Sequence, residues 1–169
     1  MSAKIRYLAL VSKTPHRLAH FYGTYLGLRE LGRSPEGDVS LTDGFYNLTF
    51  LLHRPDRPDP GFRQIGIAVD DVKEIEDRLR RHAAGAELQP DEGGIHAGEF
   101  RLKDPNGLPV AVSTTNFGLP DHGAELPAIV HAAMCAPNGD KVAEFYSDVF
   151  GFAKASPDHW GVSGRFLRD

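Results

Sequence analysis

Two nine-residue segments, HFYGTYLGL at 20–28 and EFYSDVFGF at 144–152, repeat one pattern at an offset of 124 residues. Leu18, Phe21, Tyr22, Tyr25 and Leu26 recur at spacings of three and four, as do Val142, Phe145, Tyr146, Val149 and Phe150. That spacing predicts an apolar stripe along an α-helix in each copy. Gly27 and Gly151 suit the left-handed residue that ends a helix. Thr14 followed by Pro15 supplies an N-cap and a first helical position in one copy, and Asn138 caps the other. An apolar stretch precedes each helix, Ile5 to Val11 and Ala128 to Cys135, and reads as a strand. A structural unit and the beginning of its copy are therefore expected, and each position in one can be compared with its counterpart in the other.

A weaker version lies between them. Arg63 to Val69 is its strand, Asp71 and Glu74 are expected to form a reciprocal capping pair, and Val72, Ile75 and Leu79 form the stripe, which Gly85 ends. Each of the first two units is followed by turn-separated strand candidates: 28–32, 38–42 and 45–53 in the first, then 87–89, 98–103 and 109–114 in the second. The predicted order is β-α-β-β-β, twice. Domain boundaries follow: a complete module over residues 1–115 with halves 4–54 and 61–115, a linker over 116–127, and a partial second module over 128–169. The proline-rich RPDRPDPGF at 54–62 joins the two halves as a stiffened surface connection.

Several functions are disfavoured by composition. A net charge of −4 with Lys and Arg mixed among Asp and Glu leaves no basic footprint for nucleic acid. Cys135 is the single cysteine, which excludes an intramolecular disulfide framework and a multi-thiolate zinc site, and it is expected to be a small buried apolar residue. No run approaches membrane-spanning length and the first residues lack the features of a secretory leader, so a cytoplasmic protein is expected.

In HFYGTYLGL, FRQIGIAVDDV, GEFRLKDPNGLPVAV and EFYSDVFGF the chain resembles the vicinal oxygen chelate superfamily, which includes glyoxalase I, bleomycin-resistance proteins and type I extradiol dioxygenases. Asp104, Pro105, Asn106 and Gly107 match that family's Asp-Pro-Asp/Asn-Gly turn, where Asn-Gly favours the positive φ angles of a tight hairpin. The resemblance covers essentially the whole chain. It implies an α+β fold in which paired βαβββ units form a curled mixed sheet with an open cleft, here with a partial third βαββ unit.

The resemblance also implies metal ligands on the first and last strands of each half. The corresponding positions here are Tyr7, Asn47, Gln64 and Ala111. Such side chains do not supply the imidazole and carboxylate donors that a divalent metal needs, so the first module is expected to be metal-free. Tyr7 reads equally as a half-buried strand aromatic. Gln64, between apolar neighbours, needs hydrogen-bond partners and is expected to face a wet cleft. His131 is the counterpart of Tyr7 at the offset of 124 and stands where the family places its first metal-binding histidine. His96, on a glycine-containing loop, is a further candidate for ligand contact, against the reading of an exposed loop residue. His16 and His20, four apart, read as a solvated helix face rather than a zinc site.

Two functional classes stay open. A ligand-poor first module followed by a unit beginning with a well-placed His is similar to type I extradiol ring-cleaving dioxygenases. That resemblance implies Fe(II) or Mn(II) in an intact second module, although His131 alone cannot hold it and a complete metal site is not expected within residues 1–169. The alternative resembles a bleomycin-resistance protein, a metal-independent binder whose cleft of Tyr7, Asn47 and Gln64 sequesters a small planar, aromatic molecule. In both, the partner is a small molecule. A homodimer is expected, because a partial unit exposes an apolar face and an unpaired edge.

Overall fold

The computed structural model describes residues 2–56, 59–91, 98–119, 129, 131–155 and 166–168. The first half comprises β1 (Ala3–Ser12), α1 (Pro15–Leu26), β2 (Arg29–Arg33), β3 (Val39–Thr42) and β4 (Asn47–Leu52). The second comprises β5 (Gly61–Val69), α2 (Val72–His82), β6 (Gln89–Pro90), β7 (Phe100–Lys103) and β8 (Pro109–Ser113). The eight strands form one mixed sheet in the order β2-β3-β4-β1-β5-β8-β7-β6. Each half contributes four adjacent strands, and the halves meet where β1 runs antiparallel to β5. β1 pairs with β4 in parallel, and β5 pairs with β8 in the same way. The β-α-β-β-β order read from the sequence is thus the observed one, twice.

Alternation along these strands sorts side chains onto two faces. One face buries Leu8, Leu48, Phe50, Ile65, Ile67, Val110 and Val112 in a core shared with Ala19 of α1 and Ile75 and Leu79 of α2. Full burial of such an aliphatic side chain stabilises the fold by about 1.5–3 kcal/mol before entropy is counted. The opposite face carries a smaller cluster of Tyr7, Ala9, Ala111 and Phe117.

Helix ends follow local chemistry with three departures. One lies at the end of α2, which closes on Ala83 in an extended conformation, its N–H donating to the Leu79 carbonyl, two residues before the expected Gly85. Gly27 and Gly151 are both left-handed, at φ 70° and 76°. Asn138 caps its helix by accepting from the backbone N–H of Lys141 at 3.0 Å. Thr14 occupies the N-cap of α1 without a side-chain cap bond, and its backbone carbonyl accepts from Arg17 and Leu18. The expected reciprocal pair at α2 is only half present: Asp71 accepts from the N–H of Lys73, while Glu74 turns along the helix to Arg78 at 2.8 Å. A guanidinium one turn away offers the carboxylate a charged partner, which a lone backbone N–H does not.

The third unit contains α3 (Gly139–Phe150) and a two-stranded ribbon of β9 (Ala153–Ala155) and β10 (Phe166–Arg168). Its expected leading strand is not formed: residues 131–136 have no regular structure, and 131–135 are exposed. In the first copy β1 is held between β4 and β5, and no described strand flanks 131–136 in that way, so its backbone groups have no ladder to join. The backbone is tethered instead by Ile129 N–H donating to Asp43 at 2.6 Å and by Asn106 donating to the Cys135 carbonyl at 3.1 Å. Cys135 is consequently exposed rather than buried. α3 lays Phe145, Tyr146, Val149 and Phe150 into the same core as α2.

Candidate functional site in the central strands

Pairing register places the four cleft positions expected from the resemblance, Tyr7, Asn47, Gln64 and Ala111, on neighbouring strands. Tyr7 lies opposite Asn47 on β4 and opposite Gly66 on β5, Ala9 lies opposite Gln64, and Gly66 lies opposite Ala111 on β8. Tyr7, Asn47 and Ala111 therefore converge and are buried, while Gln64 stands one rung away, half-buried. His96 lies outside the described residues. His131 is not brought to this face; it is exposed in the segment that forms no strand.

The space between those residues is filled by the chain itself. Phe117, four residues past the end of β8, is 1% exposed and stacks on Tyr7 with ring centroids 5.4 Å apart and planes inclined by 12°. Its backbone carbonyl accepts from the Asn47 amide at 2.8 Å. Asn47 in turn accepts the Thr49 hydroxyl proton at 2.7 Å, which leaves Ser40 to donate to Thr49 at 2.7 Å. This buried chain of donors is satisfied from Ser40 to the Phe117 carbonyl.

Two further observations show how closely the ring is held. A Cβ built on Gly66 would lie 2.8 and 2.9 Å from the Phe117 ring and 2.6 Å from Cβ of Tyr7, so only glycine fits beneath the stack. Phe117 itself has φ +50°, the one positive value at a non-glycine among the described residues. Such a conformation costs on the order of 1–3 kcal/mol and persists only where the surroundings enforce it. Here the stack and the Asn47 bond do so.

These residues do not fit a divalent metal. Asn47 already donates its amide to a carbonyl, Ala111 offers no donor, and an aromatic ring occupies the space where an ion would need open coordination positions. Among the described residues no group of three His, Cys, Asp or Glu side chains could hold a metal. Beside the filled cleft, an open polar pocket of about 240 Å³ is lined by Lys4, Arg6, Asp70, Thr114 and Asn116 among others. The Arg6 guanidinium there sits 3.8 Å over the Phe45 ring and donates to the Phe45 carbonyl.

The residue that sequence reasoning missed is Phe117, which fell inside the expected linker. A signal for it existed in the small side chains Ala9, Gly66, Ala68 and Ala111, which share one face of the central strands and leave a void that some large apolar group must fill.

The sequence profile of the Glyoxalase/Bleomycin resistance protein/Dioxygenase superfamily matches residues 4–112, more than half of the chain. The chain belongs to that superfamily. No curated protein matches the chain. Among solved structures it is similar to the 2,3-dioxygenase LapB from Pseudomonas sp. KL28, at 19% identity and TM-score 0.67 over 97% of this chain and 65% of that one. It is also similar to the Mn(II)-bound glyoxalase from Novosphingobium aromaticivorans, at 24% identity and TM-score 0.72 over 98% and 57%. A third likeness is to an extradiol ring-cleaving dioxygenase from B. fuscum, at 16% identity and TM-score 0.68 over 98% and 50%. The chain thus spans between half and two thirds of these structures' length. As in other superfamily members the fold is a curled, open sheet, and no helix among the described residues is long and apolar enough to cross a membrane.

Proposed function

We propose that these residues form the structural module and the start of the catalytic module of an extradiol-type ring-cleaving dioxygenase acting on an aromatic diol in the cytoplasm. The observation that carries this reading is the extent of the likeness. The 2,3-dioxygenase LapB and the B. fuscum extradiol ring-cleaving dioxygenase align with 97% and 98% of this chain, a span that takes in the third unit as well as the first module, and the Mn(II)-bound glyoxalase does so over 98%. The filled cleft supports it, since a module whose family ligand positions surround its own phenylalanine serves as scaffold.

In this reading the metal, Fe(II) or Mn(II), belongs to the second module, with His131 as one ligand. The described residues supply no companion donors, and no catalytic step is assigned to them. Once bound, the metal would supply a site for diol and oxygen together. The test uses the full protein product carrying these residues, loaded anaerobically with Fe(II) or Mn(II). About one metal per chain, loss of that metal in His131→Ala, and one O2 consumed per catechol cleaved are the expected results. Absence of bound metal after loading overturns the reading.

The bleomycin-resistance alternative places its ligand where Phe117 stands and requires that ring to leave, which favours the dioxygenase reading. A homodimer belongs to the proposal as well. It is supported by the exposed apolar stripe of α1, where Phe21, Tyr25 and Leu26 are 49%, 72% and 40% accessible. Light scattering at micromolar concentration is expected to report twice the chain mass, and a clean monomer counts against it.

A further inference from the structure

We propose that the first module retains a binding slot for a monocyclic aromatic, and that Phe117 is its resident occupant. This goes beyond the ring-cleavage reading, which concerns the second module, and either can fail without the other.

The ring of Phe117 fills a slot walled by one aromatic ring and by small side chains of the central strands. The Phe117 ring is stacked nearly parallel on Tyr7 at 5.4 Å, an offset arrangement that aromatic pairs favour. The rest of its cluster is aliphatic, Ala9 and Ala111 with Leu51 and Ala68 packed against it, and Gly66 is where any Cβ would strike the ring. The walls lie on β1, β5 and β8, three strands whose ladders do not depend on the segment that delivers the ring. The carbonyl of the same residue is bonded to Asn47, so the polar end of the slot is satisfied by backbone that remains when the side chain is removed.

The delivering segment is short and turned back on itself. Leu119 N–H donates to the Asn116 carbonyl at 2.9 Å, and Phe117 and Gly118 take φ values of 50° and 73°. A strained residue seated where the fold's ligand positions converge is held by the site rather than by its own backbone preference. Removing the ring leaves an apolar void with one aromatic wall. Voids of that kind in close-packed interiors stay dry and take up benzene-sized molecules.

The test is Phe117→Ala in the full chain, with toluene and benzene as probes and cyclohexane as a non-aromatic control. The variant is expected to melt well below the parent protein and to recover several degrees in a saturable manner with toluene, less with cyclohexane, whereas the parent shows no saturable shift. A variant that gains nothing from the aromatic probes, or a parent that responds equally, overturns the proposal. Should Phe117→Ala fail to fold at every probe concentration, Phe117→Leu decides. Its smaller void is expected to give a weaker saturable shift with benzene, and no shift there overturns the proposal as well.

Discussion

Tyr146 donates its hydroxyl proton to Asp104 across 3.2 Å of buried space, joining α3 to the Asp-Pro-Asn-Gly turn between β7 and β8. The other oxygen of Asp104 accepts from the N–H groups of Asn106 and Leu108, at 2.8 and 2.9 Å. One carboxylate thus shapes the hairpin turn of the first module and receives a helix of the third unit. Positive φ in that turn falls on Gly107 and not on Asn106.

Phenylalanine at position 146 is expected to keep the packing and lose the bond, destabilising the protein by about 1–3 kcal/mol. Burial, reinforced by the Asp104 charge and hydrogen bond, pushes the Tyr146 hydroxyl well above the usual phenol range. A raised folded value means that this contribution is fully present below the unfolded phenol value, about 10, and is lost as pH rises above it. Denaturant melts of the parent and of Tyr146→Phe between pH 8 and 11, set by that value, should therefore converge at the alkaline end. A gap that stays constant or widens with pH would contradict the assignment.

Gly66 and Phe117 should be coupled. Gly66→Ala forces a Cβ against both the Phe117 ring and Tyr7, an overpacking that costs about 1–3 kcal/mol. Removing the ring relieves one of the two clashes, so Gly66→Ala is expected to cost less in a Phe117→Ala background than alone. A double-mutant cycle measures this directly, with a coupling of about 0.5–3 kcal/mol expected. Strict additivity would show that the ring does not rest on β5.

The conformation of Phe117 makes a separate prediction about what replaces it. Alanine at φ +50° retains the left-handed cost, roughly 1–2 kcal/mol, whereas glycine does not. Phe117→Gly should therefore be at least as stable as Phe117→Ala, the reverse of the order seen in helices and strands. Chemical denaturation of the two variants checks this, and a clearly more stable alanine variant would argue against a positive φ.

Much of this arrangement could be read before the structure, because alternation and capping are local. The strand candidates 38–42 and 109–114 fall within a residue of β3 and β8, and Gly27 and Gly151 end their helices as expected. What could not be read depends on partners distant in the chain. Residues 131–135 have strand-like composition, yet a strand exists only where neighbours accept its hydrogen bonds. Phe117 lies in a stretch with no periodicity, and its destination is set by the void under Tyr7 rather than by anything adjacent to it. The convergence of Tyr7, Asn47 and Ala111 was legible from the family resemblance; the ring among them was not.

The same distinction separates the two helices that revealed the repeat. Phe21 and Phe145 are equivalent in sequence, but Phe21 is 49% exposed on α1 while Phe145 is 3% exposed on α3. The reason is α2: Phe145 meets His82 edge-on at 5.7 Å, and His82 reaches Asp148 of α3 at 2.9 Å. In the described structure no second helix covers α1 as α2 covers α3. Phe145→Ala is therefore expected to cost about 3–5 kcal/mol, the range for a buried aromatic. Phe21→Ala is expected to cost only about 1 kcal/mol, since about half of that side chain stays in water in the folded chain. Urea melts of the two variants decide the matter, and equal losses would mean that α1 is covered in solution by a second chain.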